Sequence, residues 1–214
     1  MATAISQLLV NASPPIAGDA QHFDNYCLHL QRYGKLGAEL AALLKVRNGF
    51  WSYGGALLAR PLSHSTMPLG ILEWNAEDCW KCEYGPLLRD ILCFAEDSFG
   101  CQYCIDGGGV VIIDPETADS ETIATSLEEW ASIIVNDTGY RTGLPLLDEW
   151  QQLNGALPAG MRLLPKRPFV LGGEFAVDNL YSCRDMEGMR FRASLATQIV
   201  NVQDGEQIVI EIVK

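Results

Sequence analysis

The chain has 214 residues and is 48% hydrophobic, which is enough to build one domain with a buried core, or one domain with an extension. No stretch reaches the about 18 uninterrupted apolar residues of a membrane-spanning helix, and residues 1–10 lack the basic start and apolar core of a secretion signal. We therefore expect a cytoplasmic protein without a membrane partner.

The formal net charge of −12 is concentrated in the middle of the chain. Residues 71–140 contain 15 acidic and two basic residues, whereas the parts on either side are nearly balanced. A negative field of this kind repels nucleic acid and attracts basic partners. The alternative interpretation is a solvated surface whose charge only keeps the protein in solution.

Apolar residues at helical spacing predict a first helix over residues 19–33, capped by Asp19, and a second over residues 38–47, ended by Asn48-Gly49. Pro14-Pro15 breaks any helix before them. Residues 55–60 predict a strand, and residues 71–84 predict a single helix that Gly85-Pro86 ends.

Three consecutive strands are predicted between residues 91 and 113. Residues 91–95 form an apolar run, residues 101–106 alternate with period two, and residues 110–113 are β-branched. Gly107-Gly108-Gly109 supplies a tight turn between the last two. Consecutive strands joined in this way form an antiparallel meander.

Beyond the meander, Ser126-Leu-Glu-Glu129 is a capping box that predicts the start of a helix. Residues 144–153 predict another helix. Residues 189–195 alternate apolar and polar side chains, which favours a strand, with a helix as the competing prediction. Asp204-Gly205 predicts a hairpin turn between residues 198–202 and 207–213.

Two Cys-x-x-Cys pairs, Cys79 with Cys82 and Cys101 with Cys104, are separated by 18 residues. This spacing fits a four-thiolate zinc site. Against it, the first pair lies in a helical pattern, and a strand would send the thiols of the second pair to opposite faces. Buried free thiols are the alternative, disulfides are not expected in the cytosol, and the acidic neighbours of Cys79 disfavour a redox thiolate.

Other catalytic patterns are missing from the sequence. The three histidines have no metal-binding spacing, no Gly-x-Ser-x-Gly motif occurs, and nothing distinguishes one carboxylate pair as an acid and base. We therefore expect a protein that is not an enzyme and that needs no cofactor.

The phrase Phe94-Ala-Glu-Asp-Ser-Phe-Gly100, followed by Tyr103-Cys-Ile-Asp106, resembles the central motif of the SMI1/KNR4 family in the SUKH superfamily. Arg47-Asn-Gly-Phe50, Glu73-Trp-Asn75 and the segment from Ile123 to Trp130 also match, in the order of that family. The matches cover about residues 38–135.

The resemblance implies a SUKH-like domain over residues 1–140, with residues 141–214 as an extension packed on the same sheet. The α+β fold would have a mainly antiparallel sheet of about six strands with helices on one side. It also implies an immunity protein that binds a bacterial toxin and occludes its active site, a basic nuclease for example, although some members of the family are scaffolds in cell-wall signalling. The zinc or small redox module described above is the alternative.

Acidic residues near the central motif are the predicted contacts with such a partner: Glu73, Glu83, Glu96, Asp97 and Asp106.

Overall fold

The chain folds around a six-stranded antiparallel sheet, as seen in a computed structural model that describes residues 2–18, 23–200 and 202. The strands have the same order in the sheet as in the chain. Their bounds are β1 Phe50–Ser52, β2 Leu57–Ala59, β3 Leu92–Glu96, β4 Gln102–Ile105, β5 Val110–Ile113 and β6 Ser120–Ala124. The α+β class and the antiparallel meander predicted from the sequence are confirmed.

Helices precede, interrupt and follow this sheet. Those of the described residues are α1 Ala4–Val10, α2 Phe23–Gln31, α3 Gly34–Val46, α4 Ile71–Trp74, α5 Cys82–Tyr84, α6 Leu127–Asn136, α7 Thr138–Thr142, α8 Leu144–Asn154 and α9 Asp185–Ile199. Helix α6 begins as predicted, because the Ser126 hydroxyl accepts a hydrogen bond from the Glu129 amide at 3.1 Å. None of these helices is long and apolar enough to cross a membrane.

Both faces of the sheet are covered. On one face, the β3 side chain Phe94 and the β4 side chain Tyr103 meet Trp130 of α6, with ring centroids 5.1 and 5.9 Å apart. Neighbouring strand residues point the other way, since side chains alternate across a sheet. There Cys93 and Cys104 pack in a second core that also contains side chains of α4, α5 and α9. The expectation that helices lie on one side only is therefore wrong.

The predicted helix over residues 71–84 is broken. Helix α4 ends at Trp74, and a π-helical turn over Glu77–Lys81 precedes α5. Asn75 explains the break, because its side-chain amide donates to the Cys93 carbonyl at 2.7 Å and accepts from the Cys93 amide at 2.8 Å. An asparagine side chain that binds a neighbouring strand competes with the continuation of its own helix.

The N-terminal segment protects one edge of the sheet. Helix α1 lies where no helix was predicted, and after it Ala12 bridges to Ser52 of β1. The Ser13 amide donates to the Trp51 carbonyl at 2.7 Å. These bonds satisfy the outer side of β1, which would otherwise be an unpaired sheet edge.

The described residues after α8, here called the C-terminal part, include a two-stranded antiparallel sheet and a long helix. Strands β7 Met161–Pro165 and β8 Leu180–Arg184 pair with each other, and α9 follows directly. The strand predicted over residues 189–195 is wrong, and the competing helix forms. Met189, Ala193 and Ala196 recur at helical spacing and are fully buried in the second core. The predicted turn at Asp204-Gly205 lies outside the described residues, and Gln198 belongs to α9.

Candidate functional site

Four charged side chains from distant parts of the chain meet in the interior. They are Arg60 after β2, Glu96 at the end of β3, Arg162 of β7 and Asp185 at the start of α9, and each is 1% exposed or less. We call these four residues the buried ionic cluster. Arg60 Nη2 lies 2.9 Å from Glu96 Oε2 and 3.2 Å from Asp185 Oδ2, and Arg162 Nε lies 2.8 Å from Glu96 Oε1. Two positive and two negative charges thus balance each other.

Polar and aromatic neighbours complete the surroundings of the cluster. Gln102 donates from Nε2 to Glu96 Oε2 at 2.9 Å and accepts from Trp74 Nε1 at 2.8 Å. The Arg60 guanidinium lies 3.5 Å from the centroid of the Trp74 ring, and that of Arg162 lies 4.7 Å from the Trp51 ring. Stacking on an aromatic face stabilises a guanidinium that has lost its water.

The pKa values of the two carboxylates in the cluster shift in opposite directions. Burial alone would raise the pKa of Glu96, but Arg162 and Arg60 flank it and lower its pKa below the usual value. Burial raises the pKa of Asp185, although the nearby Arg60 guanidinium and the hydrogen bond from the Met186 amide act in the opposite direction. A buried glutamate that is held ionised between two arginines is a poor proton donor or acceptor. The arrangement is therefore better suited to holding packed elements together than to acid–base catalysis.

The turn between β3 and β4, which directly follows Glu96, forms hydrogen bonds with β7 and α9. Asp97 Oδ1 accepts from the amides of Phe99 at 2.9 Å and Cys101 at 2.8 Å. The Ser98 carbonyl accepts from the Leu163 amide of β7 at 2.9 Å, and Arg192 of α9 donates to the Phe99 carbonyl. The stretch that resembles the family motif is therefore where the sheet, β7 and α9 meet.

Burial also changes the chemistry of Asp97, which is 5% exposed. Removal from water raises its pKa to about 7, although the backbone hydrogen bonds from Cys101 and Phe99 act in the opposite direction. Asp97 is thus a carboxyl group whose charge changes near neutral pH.

The predicted partner contacts lie in different environments. Glu96 and Asp97 are buried, so the expectation that they belong to an acidic surface is wrong: internal arginines and backbone amides take the interactions that a partner would need. Glu73 is half-buried and accepts from Ser63 Oγ and the His64 amide. Glu83 is exposed, and half-buried Asp106 accepts from two amides of its own turn. Partner contact by these last three stays a prediction.

A large acidic surface nevertheless exists. Of the 15 acidic residues between Ile71 and Tyr140, Glu96, Asp97 and Glu116 are buried, and the other 12 are exposed or half-exposed. The same stretch has two basic residues, of which Lys81 donates internally to Asn75 Oδ1 and the Ile91 carbonyl at 2.7 Å each. The charge imbalance seen in the sequence is therefore displayed to solvent.

The four cysteines of the Cys-x-x-Cys pairs do not converge. Cys79 and Cys104 are buried, Cys101 is half-buried and Cys82 is exposed. Within the described ranges, no three histidine, cysteine, aspartate or glutamate side chains form a group that could hold a metal ion. For the second pair the physical reason is alternation along an extended chain, because Cys101, directly before β4, and Cys104 within it are three positions apart and so point to opposite sides of the sheet.

Three residues of the buried ionic cluster are absent from the residues predicted to form a site: Arg60, Arg162 and Asp185. A signal for two of them was present, since Arg60 follows the apolar run of β2 and Arg162 lies within the mostly apolar strand β7. A charged residue within an apolar stretch indicates a buried pair. Its partner could not be named, because the partners are 36 to 125 residues away in the sequence.

No protein-family model matches the chain, and no curated protein matches it. Three chains among the solved structures do match. One is the crystal structure of Atu4351 from Agrobacterium tumefaciens, with a TM-score of 0.56, 12% sequence identity and 86% of each chain covered. At this identity the likeness shows the fold alone, so the chain is similar in architecture to Atu4351 over most of its length.

Proposed function

We propose that the chain is a non-enzymatic protein-binding module whose exposed acidic surface recognises a basic protein. The proposal rests on the 12 exposed or half-exposed acidic residues in residues 71–140, against two basic residues, one of which is engaged internally. Surface charge of one sign accelerates encounter with a partner of the opposite sign and excludes partners of the same sign.

The resemblance to the SMI1/KNR4 family suggests the kind of partner. The chain would act as an immunity protein, bound to a basic toxin such as a nuclease and blocking the toxin's active site. A nuclease must attract a polyanion, so its active site is positively charged, and an acidic protein surface competes for it. The buried ionic cluster would serve this function indirectly, by holding the sheet and the C-terminal part in one rigid body.

The test is binding to toxin domains encoded beside the gene, measured with the purified full chain at low, physiological and high salt. The triple variant Glu77→Lys, Asp78→Lys, Glu83→Lys reverses three exposed charges close together in the sequence. We expect retention of a toxin and an association rate that the triple variant lowers at least about tenfold at low salt.

The matched control is the double variant Asp148→Lys, Glu149→Lys, which reverses two exposed charges of α8 outside the acidic middle. Its association rate should stay near that of the natural chain. If the chain binds none of the toxin domains encoded beside the gene at low salt, the immunity function is contradicted. Equal rates for both variants contradict recognition through residues 77–83.

A further inference from the structure

Cys93 and Cys104 face each other across the centre of the sheet. They are directly paired residues of β3 and β4, and both are 0% exposed. Their Sγ atoms are 3.0 Å apart, with Cys104 donating its thiol hydrogen to Cys93. Neither Cys-x-x-Cys pattern contains this pair, which belongs to strands separated by a turn.

The contact is close to the geometry of a covalent bond. A disulfide has an S–S distance of about 2.05 Å, so the two sulfurs need to approach by about 1 Å. Directly opposed residues of antiparallel strands have Cβ atoms about 4.5–5.5 Å apart, at or beyond the upper end of the about 3.5–4.5 Å that a disulfide spans, so bond formation would draw the two strands together. The register shifts between Cys93 and Ala95, and this bulge interrupts the regular ladder beside one of the two cysteines.

The two thiols are also chemically unequal. Burial opposes ionisation of Cys93, but the hydrogen bond from Cys104 and the charges of Lys81 and Arg60 outweigh it and lower the pKa of Cys93. Burial and the same hydrogen bond raise the pKa of Cys104. Cys93 is therefore the better nucleophile, and Cys104 is the thiol placed to react with it second.

We propose that Cys93 and Cys104 are a redox-active dithiol that closes to a cross-strand disulfide when the protein meets hydrogen peroxide. The Cys93 thiolate attacks one peroxide oxygen, the O–O bond breaks, and Cys93 becomes a sulfenic acid while the hydroxide released takes a proton to form water. The Cys104 sulfur then attacks the Cys93 sulfur, the S–O bond breaks, and the leaving hydroxide takes the thiol proton of Cys104 and departs as water. Two thiols are oxidised by two electrons, and one peroxide is reduced to two waters.

The disulfide would link the two strands of the hairpin that contributes Glu96 to the buried ionic cluster. Residues 94–103 lie inside the closed loop, and they include Glu96, Gln102 and the Asp97 turn to which β7 and α9 attach. A covalent link between β3 and β4 restricts the unfolded chain and so stabilises the folded one. The oxidised protein should be the more heat-resistant form, with the same surface charge.

The experiment treats the folded full chain with hydrogen peroxide or with a reductant, then denatures it in an alkylating reagent and maps the peptides by mass spectrometry. We expect peroxide to yield a linked pair of peptides containing Cys93 and Cys104, with a mass about 2 Da below the sum of the two reduced peptides. The melting temperature should rise by about 5–10 °C and return on reduction.

The variant Cys104→Ala should lose the reductant-sensitive rise, and Cys82→Ala, which removes an exposed thiol outside the pair, should keep it. If Cys104→Ala does not fold, Cys93→Ala takes its place, and the peptide map of the natural chain decides independently of both. Alkyl labels on both Cys93 and Cys104 after peroxide treatment overturn the proposal. So does a disulfide between either of them and one of the other five cysteines.

Discussion

The substitution Glu96→Gln tests whether the buried ionic cluster holds the fold together. It keeps the size of the side chain, so no cavity forms, but it removes the negative charge shared by Arg60 and Arg162. Both carboxylate oxygens face a guanidinium, and a glutamine must turn its NH₂ group toward one of them. Asp185 is then the remaining carboxylate of the cluster, and this carboxylate, which contacts Arg60, faces two uncompensated buried positive charges.

The expected cost follows from this loss of balance. Removing one member of a buried ion pair leaves a charge without compensation and lowers the free energy of unfolding by about 3–5 kcal/mol. A domain is typically stable by about 5–15 kcal/mol, so the loss is a large share of the total. Urea unfolding followed by circular dichroism measures it, and Glu83→Gln, at an exposed site, should change the free energy of unfolding by less than about 0.5 kcal/mol.

A second substitution tests whether the lost balance of charge, and not a change in packing, causes the destabilisation. Arg162→Met replaces the unbalanced cation by an apolar side chain of similar length, so the double variant Glu96→Gln, Arg162→Met should be more stable than the sum of the single losses implies, by at least about 1 kcal/mol. A loss below about 1 kcal/mol for Glu96→Gln, or strictly additive losses in the double variant, would refute the view that mutual compensation of charge stabilises this site.

Two further predictions concern the Asp97 turn and the start of α6. The folded-state pKa of Asp97 is about 7, above its usual value of 3.8, so folding favours the protonated form. Asp97 therefore lowers the free energy of unfolding as pH rises from about 4 to 7. Asp97→Asn keeps an oxygen that accepts from the amides of Phe99 and Cys101. In urea titrations, the free energy of unfolding of this variant relative to that of the natural chain should increase over that pH range. A difference between the two proteins that does not change with pH contradicts the raised pKa of Asp97. Ser126→Ala removes the cap of α6 and should cost about 1 kcal/mol by thermal or urea unfolding, whereas Ser132→Ala within the same helix should cost less than about 0.5 kcal/mol. Equal losses for the two serine variants would show that the cap contributes nothing particular.

Features that depend on neighbouring residues are predictable from the amino-acid sequence. The β-branched run Val110–Ile113 forms the predicted strand, and Ser126 begins a helix through a hydrogen bond that spans three residues. The excess of negative charge in residues 71–140 is also a property of composition, and it reaches the surface because most carboxylates cannot be buried without a partner. Local propensity and the cost of burying unpaired charge are enough to decide each of these.

Features that depend on distant partners follow only from the three-dimensional fold. Residues 189–195 alternate like a strand, but burial of Met189 and Ala193 against the second face of the sheet favours a helix. The sequence predicts Glu96 as a partner contact, but the fold places it between Arg60 and Arg162. Cys104 belongs to a Cys-x-x-Cys pattern with Cys101, but its sulfur contacts that of Cys93. The register of β3 and β4 includes a bulge, so sequence spacing cannot predict which cysteines meet. The physical reason is common to these cases, because the free energy of a buried charge or thiol is determined by the atoms around it, which the fold brings from elsewhere in the chain.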